Sequence, residues 1–275
     1  MYIGIDIGGT KTLVCVLTNE GVIRESFKFP TPPDYEEWKK QLKECIRRLT
    51  TQGFVAGCVA VPGIIDREHG TLVKLGNLGW ENIPIVHDVR RIIGCPTYFD
   101  NDAKLGGLSE AMLLKHKYDR VLYITISTGI GIGLIVDQKI DEAIGDGGGR
   151  TMLFEHEGNM VPWETFGSGK HIVEVYGKMA SEIEDPKIWA QIVKNFTPGF
   201  LELISTLNPQ AIVVGGGAGH YLSRFHNLLL EDLKQYETPM MKIPPILPAA
   251  RPDEAVAYGC YDYAKQKHNA LSESR

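Results

Sequence analysis

Apolar residues along this chain fall in short blocks, each ended by glycine, proline or a small polar turn. Tyr2-Ile3-Gly4-Ile5-Asp6-Ile7 reads as a strand with one acid inside it, and Leu13–Leu17 is apolar again. The Gly8-Gly9-Thr10 segment between them predicts a hairpin. Gly21 turns into a third strand, Val22–Phe27, and Pro30, Pro32 and Pro33 break the chain. Residues 34–52 place Trp38, Leu42, Cys45, Ile46 and Leu49 at helical spacing, with Asp34 as N-cap and Gly53 as the stop. Phe54–Val61 is almost wholly apolar, the signature of a strand buried on both faces and flanked by helices. Pro96–Phe99 forms another β-element and leads into Asp100-Asn101-Asp102, after which Ala103–His116 reads as a helix.

The second half repeats this grammar. Val121–Ile126 is a strand that enters the small-residue turn Ser127–Gly133 and leaves as Leu134-Ile135-Val136. A helical region follows from about Gly169, interrupted near Pro186, and Ala211–Val214 then runs into Gly215-Gly216-Gly217. The last helix, Glu254–Lys265, carries Ala257, Tyr258, Tyr261 and Ala264 on one face, and the tail Ser272–Arg275 is expected to fray. Two halves that both open with a glycine-turned hairpin suggest an internal duplication around a central cleft. The expected division is an N-terminal lobe over 1–116, with a C-terminal helix over 254–267 packing back onto it, and a C-terminal lobe over 117–253.

Bulk properties narrow the function classes. At 275 residues, with 43% hydrophobic and 23% charged residues, the chain can bury a large core as an ordinary water-soluble globule. A net charge of −5 provides no basic field, which argues against nucleic acid as a partner. No apolar run reaches the roughly 18 residues of a membrane span, and the first residues form a strand rather than a secretion signal. Cys15, Cys45, Cys58, Cys95 and Cys260 are odd in number, scattered and without a CxxC pair. Neither a disulfide framework nor a cysteine zinc site is indicated, and a cytoplasmic setting is expected.

Several segments carry candidate chemistry, each beside a plainer role. Backbone amides of the Gly8–Thr10 turn can form an anion-binding nest, with Asp6 holding a metal ion or its water; an ordinary hairpin turn is the alternative. Ser127–Gly133 offers the same choice, with the Thr128 hydroxyl as an added donor. Gly215–Gly217 follow a buried strand, where ligands sit in open α/β sheets or where a helix needs tight packing. Neither a GxGxxG spacing nor a P-loop Lys-Ser/Thr is present there. In Asp100-Asn101-Asp102, Asp102 fits a general base and Asn101 a hydroxyl-binding amide; the other reading is an Asx cap for the next helix. Trp80 and Glu81 either line a polar ligand site or belong to a loop with one anchored aromatic, and His87 and His156 read as surface residues.

Taken together these pieces resemble the ROK (repressor, open reading frame, kinase) family of the actin-like ATPase superfamily, over nearly the whole chain. Asp6-x-Gly8-Gly9-Thr10-Lys11 is similar to its first phosphate motif, and Val61-Pro62-Gly63-Ile64-Ile65-Asp66 to its PG-x-x-D segment. Asn77-Leu78-Gly79-Trp80-Glu81-Asn82-Ile83-Pro84 resembles its NL-x-GW-x-N-x-P stretch, and Asp100-Asn101-Asp102-Ala103 its NDA core. Thr128-Gly129-Ile130-Gly131-Ile132-Gly133 resembles the second phosphate motif, and Val214-Gly215-Gly216-Gly217 the adenosine-side glycines. The resemblance implies an α/β fold of two actin-like (ribonuclease H-like) lobes, each a mixed β-sheet flanked by helices, with the active site in the cleft between them. It implies magnesium ATP as phosphoryl donor, a sugar as acceptor and a homodimer. Gly8, Gly9, Thr10, Lys11, Thr128, Gly129, Gly131 and Gly215–Gly217 would serve ATP, and Asp6 would hold magnesium through water. Asp102 would be the catalytic base, with Asn101, Gly63 and Glu164, in Trp163-Glu164-Thr165-Phe166-Gly167-Ser168-Gly169, at the sugar. A hexose phosphorylated at C6 is the first expectation; an N-acetylated amino sugar, or a sensor that binds without turnover, are the alternatives.

The departures fall at the sugar end. The family's Glu-x-Gly-His aligns with Gly148-Gly149-Arg150-Thr151, so Gly148 stands for the sugar-binding glutamate and Thr151 for the zinc- and sugar-binding histidine. The stretch from Phe154 to Trp163 contains no cysteine, so no zinc of the family type is expected. With the kinase-type motif beginning at the first residues, a helix-turn-helix of the repressor branch is not expected either.

Overall fold

The computed structural model describes residues 1–75 and 78–273. Gly76, Asn77, which opens the Asn77–Pro84 stretch, and the tail residues Ser274 and Arg275 lie outside the described residues. The chain forms two compact units, Met1–Ser109 with Asp253–Arg275, and Glu110–Pro252.

The first unit begins with β1 (Tyr2–Ile7), β2 (Lys11–Leu17) and β3 (Ile23–Pro30), followed by α1 (Tyr35–Arg48) and β4 (Ala56–Val61). Then come β5 (Gly63–Asp66), β6 (Thr71–Leu75), β7 (Glu81–Ile83), α2 (Ile85–Ile93), β8 (Thr97–Asn101) and α3 (Asp102–Leu114), whose last residues enter the second unit. Strand order is β3-β2-β1-β4-β8. β1 is antiparallel to β2 and parallel to β4, and β4 is parallel to β8. Alternation divides β1: Ile3, Ile5 and Ile7 enter the core with Val14, Val16, Trp38, Val59 and Val61, which leaves Gly4 and Asp6 on the opposite face. β4 is buried at every position, as its apolar sequence requires. Pro30 closes β3 rather than preceding a break, because β3 is an edge strand and its last residue can lack an N–H. α1 starts as expected, with Asp34 Oδ1 accepting the Glu37 N–H at 2.8 Å, but ends at Arg48, ahead of Gly53. The hairpin β5–β6, with β7 added, and α2 fill a region whose dense Gly and Pro had concealed them.

The second unit contains β9 (Arg120–Ile126), β10 (Ile130–Val136), β11 (Lys139–Ile140), β12 (Leu153–His156), β13 (Asn159–Pro162), α4 (Trp163–Gly167) and α5 (Gly169–Tyr176). It continues with α6 (Pro186–Leu207), β14 (Ala211–Gly215), α7 (Gly216–Gly219), α8 (Leu222–Lys234) and β15 (Ile246–Pro248). Pro186 starts α6 instead of interrupting a helix: it occupies the first turn, where its missing N–H costs nothing, and Asp185 caps Lys187. The sheet order β11-β10-β9-β14-β15 repeats the first unit's pattern, antiparallel for the first two pairs and parallel for the last two. Its core is aromatic: Trp163, Trp189, Phe196, Phe200 and Phe225 are fully or nearly fully buried around Leu122, Ile124 and Ile126. The chain then returns to the first unit as α9 (Ala255–Glu273).

Candidate active site

Register builds the site of the first unit. Asp6, Ala60 and Asp100 are direct partners across β1, β4 and β8, so the two acids share one face near the C-terminal ends of three parallel strands. Asp6 keeps some solvent contact but is set deep in the protein. Desolvation pushes its pKa up to about 7, the Asp102 charge adds to the rise, and Lys28 opposes it. Asp100 is fully buried and is gripped by a side chain that the sequence did not single out. Arg67, just past β5, places Nη2 at 2.6 Å and Nε at 3.3 Å from its two carboxylate oxygens. Asp100 Oδ1 also accepts the Asn101 N–H at 2.7 Å.

The cap of α3 belongs to Asn101 rather than Asp102. Asn101 Oδ1 accepts the N–H groups of Ala103 at 3.0 Å and Lys104 at 3.3 Å, which fixes the amide so that Nδ2 is the end left to donate elsewhere. Asp102 Oδ1 accepts the Ala103 N–H at 2.8 Å, and the residue is partly exposed at the start of the helix.

The Gly8-Gly9-Thr10 turn is tighter than an open nest. Gly8 N–H donates to the Lys11 carbonyl at 2.9 Å, so this amide closes the hairpin and is not offered to a ligand. A Cβ at Gly8 would lie 2.9 Å from the same carbonyl. Gly9, Thr10 and Lys11 are exposed. Behind the turn, Trp38 Nε1 donates to Thr12 Oγ1 at 3.0 Å, and Thr12 and Thr31 hydroxyls bond at 2.9 Å, tying the hairpin to α1. Gly63 lies in β5, where a Cβ would strike the Lys74 carbonyl of β6, so the hairpin itself demands glycine there. Trp80 is core: it is 2% exposed, packs edge-on to Tyr35 and Trp38, and donates Nε1 to the Pro33 carbonyl at 2.7 Å. Glu81 forms a surface ion pair with Lys74 at 2.9 Å.

In the second unit the small-residue turn is shorter than expected. Ser127 N–H donates to the Gly129 carbonyl at 2.8 Å, and β10 already begins at Ile130. Thr128 and Gly129 stay in the turn, whereas Gly131 is a strand residue paired with Thr125. Beside the turn lies Glu164. Its Oε2 accepts the Ile130 N–H at 2.9 Å and its Oε1 the Arg150 Nε–H at 2.8 Å, so both oxygens are engaged within the unit. Trp163 holds α4 in place: it is fully buried, its ring lies where a Cβ on Gly199 would be, and its Nε1 donates to the Asn195 carbonyl at 2.9 Å. Gly148 has φ +52°, and a Cβ there would strike the Ile130 carbonyl. No glutamate side chain fits that backbone. Gly216, with φ +81°, faces the Ile126 carbonyl and the Thr125 hydroxyl, Gly215 packs on Tyr123, and Gly217 is exposed with open space around it.

Arg67 and Arg150 are the residues that sequence reasoning missed. Arg67 follows the PG-x-x-D segment by one position, and Arg150 is a lone charge after three glycines. Their partners are 33 and 14 residues away, a separation no local pattern reveals.

The model of the ROK family matches residues 2–267. The chain belongs to the ROK family. It is 27% identical to an N-acetyl-D-glucosamine kinase of Haemophilus influenzae, over 94% of this chain and 97% of that protein. It is 26% identical to a xylose repressor of Caldicellulosiruptor bescii, over 85% of this chain and 69% of the repressor. A crystal structure of a ROK glucokinase from Streptomyces griseus, in complex with glucose and AMPPNP, has a TM-score of 0.80 at 22% identity, over 96% of this chain and 99% of that one. The repeated five-stranded sheet is thus the actin-like fold of ROK proteins. Between Leu153 and Pro162 this ROK chain folds the hairpin β12–β13, with His156 stacked on Phe166 at 4.3 Å. Among the described residues no three His, Cys, Asp or Glu side chains are grouped to hold a metal ion, and no helix is long and apolar enough to cross a membrane.

Proposed function

We propose that this ROK protein is a cytoplasmic, ATP-dependent sugar kinase that phosphorylates a hexose hydroxyl, with C6 the first choice. The observation that carries the reading is Asp6 at the end of a parallel strand, close enough to Asp102 at the start of α3 for the Asp102 charge to raise the Asp6 pKa. Two carboxylates that repel one another suit a hard divalent cation, which relieves the repulsion; magnesium takes one or two carboxylates, water and phosphate oxygens. Asp6 would hold such an ion through water. When bound, it would supply positive charge against the phosphates.

The residues of the chain then divide the work. Gly9, Thr10 and Lys11 of the first turn, with Thr128 and Gly129 of the second, meet phosphate oxygens, and Gly217 lies at the adenosine side. Asn101, its Oδ1 fixed by the helix cap, donates Nδ2–H to the acceptor hydroxyl. Asp102 accepts the proton from that hydroxyl as its oxygen bonds to the γ-phosphorus and the bond to ADP breaks. Phosphoryl transfer rewards this positioning more than covalent help. A general base contributes about 10²–10⁴-fold, so Asp102→Asn should lower turnover at least about a hundredfold while ATP binding is kept. The measurement is ADP release from magnesium ATP over a panel of hexoses and amino sugars. Near-normal turnover in Asp102→Asn would remove Asp102 from its role.

A sensor that binds sugar without turnover is the second reading. It is favoured by the sugar end of the second unit, where Gly148 offers no side chain and Glu164 has both oxygens engaged. Saturable sugar binding with no ADP release on any panel member would select it. An N-acetylated amino sugar as acceptor would show as turnover confined to that part of the panel.

A further inference from the structure

Glu164 places a carboxylate against the second phosphate turn. Its Oε2 takes the Ile130 N–H, and the carboxyl fills the space beside Gly129 where a Cβ would stand. A full negative charge there repels the oxygens of a triphosphate approaching the turn, and phosphate would be the worse ligand for it.

Arg150 answers that charge, and the chain is built to deliver it. Its Nε–H donates to Glu164 Oε1 at 2.8 Å. The run Gly147-Gly148-Gly149 lets a 3-10 turn, Gly148–Arg150, lie directly on the start of β10: Cβ atoms at Gly148 and Gly149 would strike the carbonyl and side chain of Ile130. Arg150 is therefore carried to Glu164 on a backbone that no other residue type would permit. Its side chain stays 60% exposed, with the outer guanidinium nitrogens unbonded among the described residues.

We propose that Arg150 is a positioning residue for nucleotide: by neutralising Glu164 it makes the Ser127–Gly129 turn able to accept an anionic phosphate. The inference rests on the kinase reading, and its test separates the two. The affinity of the full chain for AMPPNP with magnesium chloride would be measured by titration calorimetry in wild type, Arg150→Ala, Arg150→Lys, Glu164→Gln and the double variant Arg150→Ala/Glu164→Gln. Arg150→Ala should weaken binding by about tenfold or more, since the pair is partly screened by water. Arg150→Lys should stay within about threefold of wild type, and Glu164→Gln should bind as wild type or more tightly. The decisive arm is the double variant, which should recover to within about threefold of Glu164→Gln, because the charge that needed neutralising is gone. This recovery also shows that Arg150→Ala had not merely failed to fold. Wild-type affinity in Arg150→Ala, or a double variant as weak as Arg150→Ala, overturns the proposal while leaving the kinase reading intact. Wild type that binds no AMPPNP overturns both.

Discussion

Asp6 is the residue on which chemistry and stability meet. A strand of isoleucines with one glycine carries it into the protein, where desolvation first and the Asp102 charge second push its pKa up to about 7. Its proton is bound more tightly in the folded chain than in the unfolded one, where an aspartate titrates near about 4. The linkage sign follows: this stabilisation is complete below pH 4 and is lost as pH rises through 7. In a buffer with a chelator, the melting temperature of wild type should therefore fall relative to that of Asp6→Asn between pH 5 and pH 8, with the variant the more stable at pH 8. Parallel curves would contradict the raised pKa. The acid itself was legible in the sequence as a charge within an apolar strand. Its buried neighbour Asp100 was not assigned a partner, because the Arg67 that binds it lies on another hairpin.

At the level of elements, local pattern served where each element was long and its period clear. α1, β4 and the first hairpin followed from spacing and caps. The glycine turns were placed correctly but their ends were not: β10 claims Ile130 to Gly133, which as a small-residue run had looked like loop. Alternating Ile and Gly is a strand whose start, at Ile130, is where the 3-10 turn bearing Arg150 lies against it. That fit gives a prediction. Gly148→Ala combines a positive φ with a collision against the Ile130 carbonyl, and should destabilise by about 2–3 kcal/mol in urea unfolding. Gly158→Ala, at φ +81° in the β12–β13 turn with nothing near its Cβ, pays only the backbone cost, about 1 kcal/mol. Equal losses at the two sites would mean that the close approach at Gly148 does not constrain the turn.

Across the whole molecule, the duplication read from two glycine-turned hairpins reappears as one strand order used twice. The sequence also held a less visible asymmetry: the second unit is one continuous stretch, whereas the first is completed only by the last helix. α9 covers the face of β1 that bears Gly4, and a Cβ at Gly4 would come within 3.0 Å of Cys260 Cβ. Gly259 lies on the Leu105 backbone of α3, and Tyr261 Oη and Lys265 Nζ donate to the Asn19 carbonyl at 2.7 and 2.8 Å. Ala257, Cys260, Tyr261, Tyr263 and Ala264 are buried on this helix. Each large side chain among them contributes about 2 kcal/mol by burial, so their joint loss is comparable with the roughly 5–15 kcal/mol that stabilises a domain. A chain ending at residue 252 should thus lose amide-exchange protection in β1, β2 and β4 while β9, β10 and β14 keep theirs. A synthetic peptide of residues 253–273 added in trans should restore the first group. Protection lost equally in both sets would mean that the second unit does not hold its fold without the first. Protection kept in both would mean that α9 covers the sheet without being needed to form it.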